Sequence, residues 1–148
     1  MNLLVAVDGS DESYRALEYA ANIARAVDGS ITLAHAVEPD VYDTGGDEPR
    51  STAERRDRLI VDTVDAAEAR GQEILAEAVE TAETLGVDAS AELLYGDPVV
   101  EITDYADREG YETIYVGHRG LSGRAAQVLG SVARDIVERT TVPVTVIR

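Results

Sequence analysis

No cysteine and no lysine occur in this chain of 148 residues, and each absence closes off a class of chemistry. Without cysteine there is no disulfide framework, no thiolate nucleophile and no sulfur-ligated metal. Without lysine the Gly-Lys-Ser/Thr of a Walker phosphate loop cannot be written. Histidine is scarce: His35 and His118 are the only two, which argues against a His-based zinc site. The opening Met1-Asn2-Leu3-Leu4-Val5-Ala6-Val7-Asp8 has no basic region, and its apolar run is too short for a secretory leader or a membrane span. A soluble, cytoplasmic protein is expected.

Positive charge is in short supply as well. Basic residues number 13, every one an arginine, against 29 acids, leaving a formal charge of −16. A surface of that sign repels phosphate backbones, so nucleic acid is not an expected partner. The acids are scattered rather than blocked. This pattern suits solvation in a salty cytoplasm, where molar salt shortens charge repulsion to about 3 Å. An acidic face for a basic protein partner is the competing reading.

What remains is a chain of ordinary size for a single domain, 1–148, with five short apolar runs. Leu3 to Val7 reads as a strand buried on both faces, ending in Asp8-Gly9-Ser10, where Ser10 can cap a helix carrying Tyr14, Leu17, Ala21 and Ala24 inward. A second strand spans Ile31 to Val37. Glu38 to Arg58 has proline, glycine and many charges without periodicity, and reads as a mobile loop or a lid. Arg56 to Leu85 keeps a three-four apolar spacing through Ile60, Val64, Ala67, Ile74, Ala78, Ala82 and Leu85, predicting one long amphipathic helix that Gly86 ends. Val87 to Tyr95 is a weaker third strand. Asp97-Pro98 opens a third helix as N-cap and first helical residue, with Val99, Ile102 and Ala106 on its buried stripe. Thr113 to Val116 is a fourth strand, Gly130 to Thr140 a fourth helix and Val142 to Ile147 a fifth strand. Alternation of this kind predicts a doubly wound, parallel α/β sheet built by right-handed crossovers. Ligands in such sheets bind at the carboxyl ends of strands where strand order reverses, which singles out the segments after the first and fourth strands.

The segment after the fourth strand reads Gly117-His118-Arg119-Gly120-Leu121-Ser122-Gly123-Arg124-Ala125-Ala126-Gln127-Val128-Leu129-Gly130-Ser131. Its glycines expose backbone N–H groups, and Gly130-Ser131 opens a helix whose N-terminus attracts anions. From Thr113 to Arg134 there is no acid at all, although acids make up 29 of the 148 residues, and Arg119, Arg124 and His118 fall inside that window. These are the parts of a phosphate cradle. An ordinary glycine turn is the plainer alternative.

Gly117-x2-Gly120-x9-Gly130-Ser131 resembles the ATP-binding signature of the universal stress protein family. Val5-Ala6-Val7-Asp8-Gly9-Ser10, Leu33-Ala34-His35-Ala36-Val37, Gly96-Asp97-Pro98 and Val142-Pro143-Val144-Thr145-Val146 are similar to that family over nearly the whole chain. The resemblance implies a five-stranded Rossmann-like sheet of order 3-2-1-4-5 with four helices. It implies an ATP site, with magnesium accompanying the nucleotide, in which Asp8 meets the ribose and adenine side with Ala6 and Val7 lining the same pocket. Ala36 would touch adenine or serve as core. Gly117, Arg119 and Gly120 would approach ribose and phosphates, and Gly130, Ser131 and Val132 would hold the phosphates; Ser131 could equally be a plain N-cap. The family pairs its last strand across a two-fold axis, so a homodimer through 142–147 is implied, with Pro143 suited to an edge.

Two positions depart from the pattern. His118 stands where many relatives have a small hydroxyl residue, and Ala133 lacks a hydroxyl some binders offer to phosphate. His35, between apolar neighbours, reads as a satisfied core histidine rather than a base. No nucleophile–base pair and no metal-binding carboxylate cluster can be read beside the loop. The expectation is a nucleotide-responsive regulatory protein with no catalytic residues. A protein-interaction module of the same fold and a slow ATP hydrolase are the alternatives.

Overall fold

The computed structural model describes residues 1–38, 53–118 and 129–148, with side chains from 64 onward in the second stretch. Five strands and four helices alternate: β1 (Asn2–Ala6), α1 (Asp11–Val27), β2 (Ser30–Val37), α2 (Ala53–Thr84), β3 (Ala89–Tyr95), α3 (Pro98–Glu109), β4 (Thr113–Gly117), α4 (Ser131–Arg139) and β5 (Val144–Ile147). All strand pairs are parallel, in the order β3-β2-β1-β4-β5. This is the doubly wound sheet that the alternation of apolar runs predicts. The central strand β1 is apolar throughout because both its faces are covered, with Leu3, Leu4 and Val5 wholly buried.

Strand alternation sends successive residues to two separate cores. Leu3, Val5, Val7, Ile31, Leu33 and Tyr115 pack with Leu17, Ala20 and Ala21 of α1 and Leu75, Ala78 and Ala82 of α2. Leu4, Ala6, Ala34, Ile114 and Val116 pack with Ile102 and Ala106 of α3 and Ala133 and Ile136 of α4. Small residues on the helices bring backbones close. Gly71 of α2 is the extreme case: a methyl there would lie 2.9 Å from His35 Cδ2 and 3.0 Å from Leu93 Cδ1.

The helix ends follow their local chemistry. Ser10 caps α1 by accepting from the Ser13 N–H at 3.2 Å, and Asp97 caps α3 by accepting from the Val100 N–H at 3.1 Å, with Pro98 beginning that helix. Gly86, at φ +80, closes α2 with paired bonds from Gly86 N to Glu83 O and from Val87 N to Ala82 O.

Several boundaries differ from those read in the sequence. Val87 belongs to the α2 stop rather than to the third strand, because its N–H is spent on Ala82 and its side chain is buried against the first core. The fifth strand begins at Val144 rather than Val142: Thr140 Oγ1 takes the Val142 N–H, and Pro143 has none to give. The fourth helix starts at Ser131, with Gly130 rather than Ser131 as its N-cap. Of the expected loop 38–58, residues 39–52 lie outside the described residues, whereas 53–58 belong to α2, which starts at Ala53 rather than near Arg56; the side chain of Ile60 also lies outside them.

Candidate functional site

Strand order turns back between β1, whose chain proceeds to β2 on one side, and β4 on the other. The carboxyl ends of these two strands therefore open the crevice that a doubly wound sheet offers to ligands. α1 closes it from one face and α4 from the other, since the two helices belong to the two different cores.

On the β1 side, Ala6 is buried in the core facing α3 and α4, while Val7 is buried in the opposite core. Val7 is also tied by its backbone, its N–H donating to Ala34 O at 2.9 Å and its carbonyl lying 2.7 Å from His35 Nδ1. Asp8 follows beyond the end of the strand and is half-buried at the start of α1. Its Oδ1 accepts the Ser10 N–H at 2.9 Å, forming the tight turn in which Gly9 takes φ +83. One carboxylate oxygen is thus engaged in holding the turn. Ala36 continues the Ala34 face of β2 and is half-buried near the strand end. Ala6 and Ala36 therefore share the sheet face opposite Val7, and Asp8 sits at the strand end beside them.

On the β4 side, Gly117 is the last strand residue. A methyl group on it would sit 2.8 Å from the Glu12 carbonyl carbon, so its bareness lets α1 lie directly on the strand. His118 follows, 7% exposed, its N–H donating to Ile147 O and its carbonyl accepting the Gly130 N–H at 2.8 Å. Sequence reasoning passed over this tie, which sets the start of α4 against the end of β4. The signal available was a histidine in place of a small hydroxyl residue. Arg119 and Gly120 lie outside the described residues.

The three helix starts with described caps differ in electrostatics. α1 has a Ser10 cap and two acids, Asp11 and Glu12, in its first turn; α3 has an Asp97 cap and Glu101. α4 has Gly130 at its cap, which offers no side-chain acceptor to the first N–H groups, and no acid in its first turn. Ser131 and Val132 are exposed there, and Ala133 is buried. The first two starts carry their own negative charge. The third presents a positive dipole end without one.

The donor set suits an anion. Among the described residues, no group of three or more His, Asp or Glu side chains could hold a metal ion. No described helix is long and apolar enough to cross a membrane. Tyr115, beneath the crevice in the first core, is held above the usual phenol range by burial and by Tyr19, and so remains a neutral ring.

The universal stress protein family model matches residues 1–148. Universal stress protein YxiE of Bacillus subtilis is 32% identical over 146 residues, covering 99% of this chain and 97% of that protein. Among solved structures, UspA from Lactobacillus plantarum aligns with a TM-score of 0.82 at 25% identity, covering 100% and 97% of the two chains. A universal stress protein from Archaeoglobus fulgidus in complex with dAMP aligns at 0.68 and 28%, covering 100% and 98%. Another universal stress protein, solved in complex with cAMP, aligns at 0.71 and 27%, covering 100% and 96%.

Proposed function

Because this chain belongs to the universal stress protein family, we propose that the crevice over β1 and β4 binds an adenine nucleotide, ATP in the first place, and that a homodimer conveys its occupancy to a partner protein in the cytoplasm. The observation that carries this reading is the start of α4: an exposed helix N-terminus with a glycine cap and no acid in its first turn, tied to the end of β4. Phosphates are the anions such a terminus accommodates best. Ser131 and Val132 would hold them through backbone N–H groups, while Gly130, whose own N–H is spent on His118 O, would only allow close approach, with Gly117, Arg119 and Gly120 nearby in the chain. Asp8, Ala6 and Ala36 would meet the nucleoside, and Val7, whose side chain lies in the opposite core and whose backbone is taken up by Ala34 and His35, would only shape the strand end beside them. Magnesium would arrive on the phosphates rather than in a carboxylate cage. β5, at the sheet edge with its Val144 and Val146 half-buried, is the strand through which two copies would pair.

On this reading the nucleotide acts as a ligand that is held rather than turned over, and among the described residues no cluster of carboxylates stands ready to place a metal for hydrolysis. The close packing of Gly117 on Glu12 favours a second reading, since it accounts for one signature glycine without any nucleotide. Under that reading the chain is a protein-interaction module whose signature has become structural.

Calorimetry with ATP, ADP and AMP in molar KCl separates the two. Binding is expected, together with a nucleotide absorbance released on denaturing the purified protein, and Asp8→Ala is expected to weaken binding about tenfold while circular dichroism stays unchanged. A protein that takes up no nucleotide and releases none is the interaction module instead.

A further inference from the structure

The His118 imidazole is an ionisable side chain buried to 7% exposure at the β4 end of the crevice. Among the described residues it makes no side-chain hydrogen bond, although its backbone is fixed on both sides by Ile147 and Gly130. Buried polar groups are ordinarily paired, so one without a partner among the described residues marks a place for another. Its direction follows from the strand. The Cβ position of Gly117 faces Glu12 of α1, and alternation turns the next residue to the opposite face, the one bearing Val116, Ala6 and the start of α4. Two independent features therefore converge: a helix N-terminus with a glycine cap, and a buried imidazole that is unpaired among the described residues, on the same face and one hydrogen bond away through Gly130.

We infer that the His118 side chain reads the phosphate end of the bound nucleotide, donating to a phosphate oxygen and binding it more tightly when protonated. This rests on the nucleotide reading above and adds a side-chain contact to a cradle otherwise made of backbone. Imidazole is the side chain whose charge ordinarily changes between about pH 5 and 8, and an N–H donated from a cation to phosphate is roughly twice as strong as one from a neutral ring. The other ionisable groups on the surrounding elements are Asp8 after β1, Glu12 on α1, Arg134 and Asp135 on α4, and Arg148 after β5. Arg134 and Asp135 are paired with each other at 3.4 Å, and Asp8 is engaged by the Ser10 N–H. The sequence from 113 to 134 contains no Asp or Glu.

The test is calorimetry of the full chain in molar KCl at about pH 6 and about pH 8, with ATP and adenosine as the probes. Wild type should bind ATP about tenfold tighter, relative to His118→Gln, at the lower pH than at the higher. Taking that ratio cancels the titration of the phosphate itself. Adenosine affinity should be equal in the two proteins at both pH values. An ATP ratio that does not change with pH overturns the role of His118, whereas wild type that binds ATP at neither pH overturns the nucleotide reading instead. Should His118→Gln fail to fold, proton NMR of wild type decides: with only two histidines, the His118 ring signals must move when ATP but not adenosine is added. Signals that ignore ATP overturn the inference.

Discussion

A methyl group placed on Gly117 would lie 2.8 Å from the carbonyl carbon of Glu12 and 3.0 Å from its oxygen. Both are backbone atoms, so no rotamer change relieves the clash; either α1 or β4 must move. Gly117→Ala is expected to destabilise the protein by about 1–3 kcal/mol, the usual cost of overpacking, with a lower urea midpoint and an unchanged slope. A midpoint equal to wild type would show that α1 can slide at no cost. The glycine was legible in the sequence as a special position, but as one that lets a ligand approach. What it accommodates in the described structure is a helix, and spacing alone does not tell a close-packed backbone from a phosphate. His118 was legible only as a departure from a pattern, because burial and the tie to Gly130 arise from three segments distant in sequence.

The elements show what local chemistry can specify. Ser10, Asp97 and Pro98 were readable as helix starts because capping acts within three residues, and all three stand where that reading puts them. Gly71 was not readable, since only the arrival of α2 over His35 and Leu93 explains a glycine inside a helix. Ser131 looked like a cap by type, yet Gly130 takes the extended backbone of the cap, with φ −60 and ψ 149, and leaves the first turn without a side-chain acceptor. This difference can be tested by exchanging the electrostatics of two helix ends. Ser10→Ala removes the bond to Ser13 and should cost about 1 kcal/mol of stability. Gly130→Asp should do the reverse at α4, adding the missing acceptor and gaining a few tenths of a kcal/mol. It should also lower ATP affinity by at least about tenfold, because a carboxylate then competes for the N–H groups offered to phosphate. Unchanged affinity in a folded Gly130→Asp protein would place the nucleotide somewhere other than α4.

At the scale of the whole molecule, the balance of charge has no internal remedy. The described ion pairs are all exposed, and two of them, Arg108–Glu109 and Arg134–Asp135, join sequence neighbours, so they contribute little to folding. A formal charge of −16 therefore acts mainly as self-repulsion in the compact state. The cores cannot offset much of it with bulk. Neither phenylalanine nor tryptophan is present, and the helix faces turned to the sheet are largely alanine: Ala16, Ala20, Ala21, Ala24, Ala78, Ala82, Ala106 and Ala133. Added salt shortens the reach of repulsion from about 10 Å at 0.1 M to about 3 Å at 1 M, so the melting temperature should climb steeply over that interval. Beyond about 1 M any further gain belongs to preferential exclusion, and should be larger in sulfate than in chloride at equal ionic strength. The electrostatic share can be isolated on α2, where Glu73, Glu80 and Glu83 are exposed. Replacing all three by glutamine should raise the melting temperature in dilute buffer and flatten its rise with chloride, while leaving the extra effect of sulfate intact. A triple variant with the salt slope of wild type would mean that the rise comes from ions bound at particular sites rather than from screening of the surface as a whole.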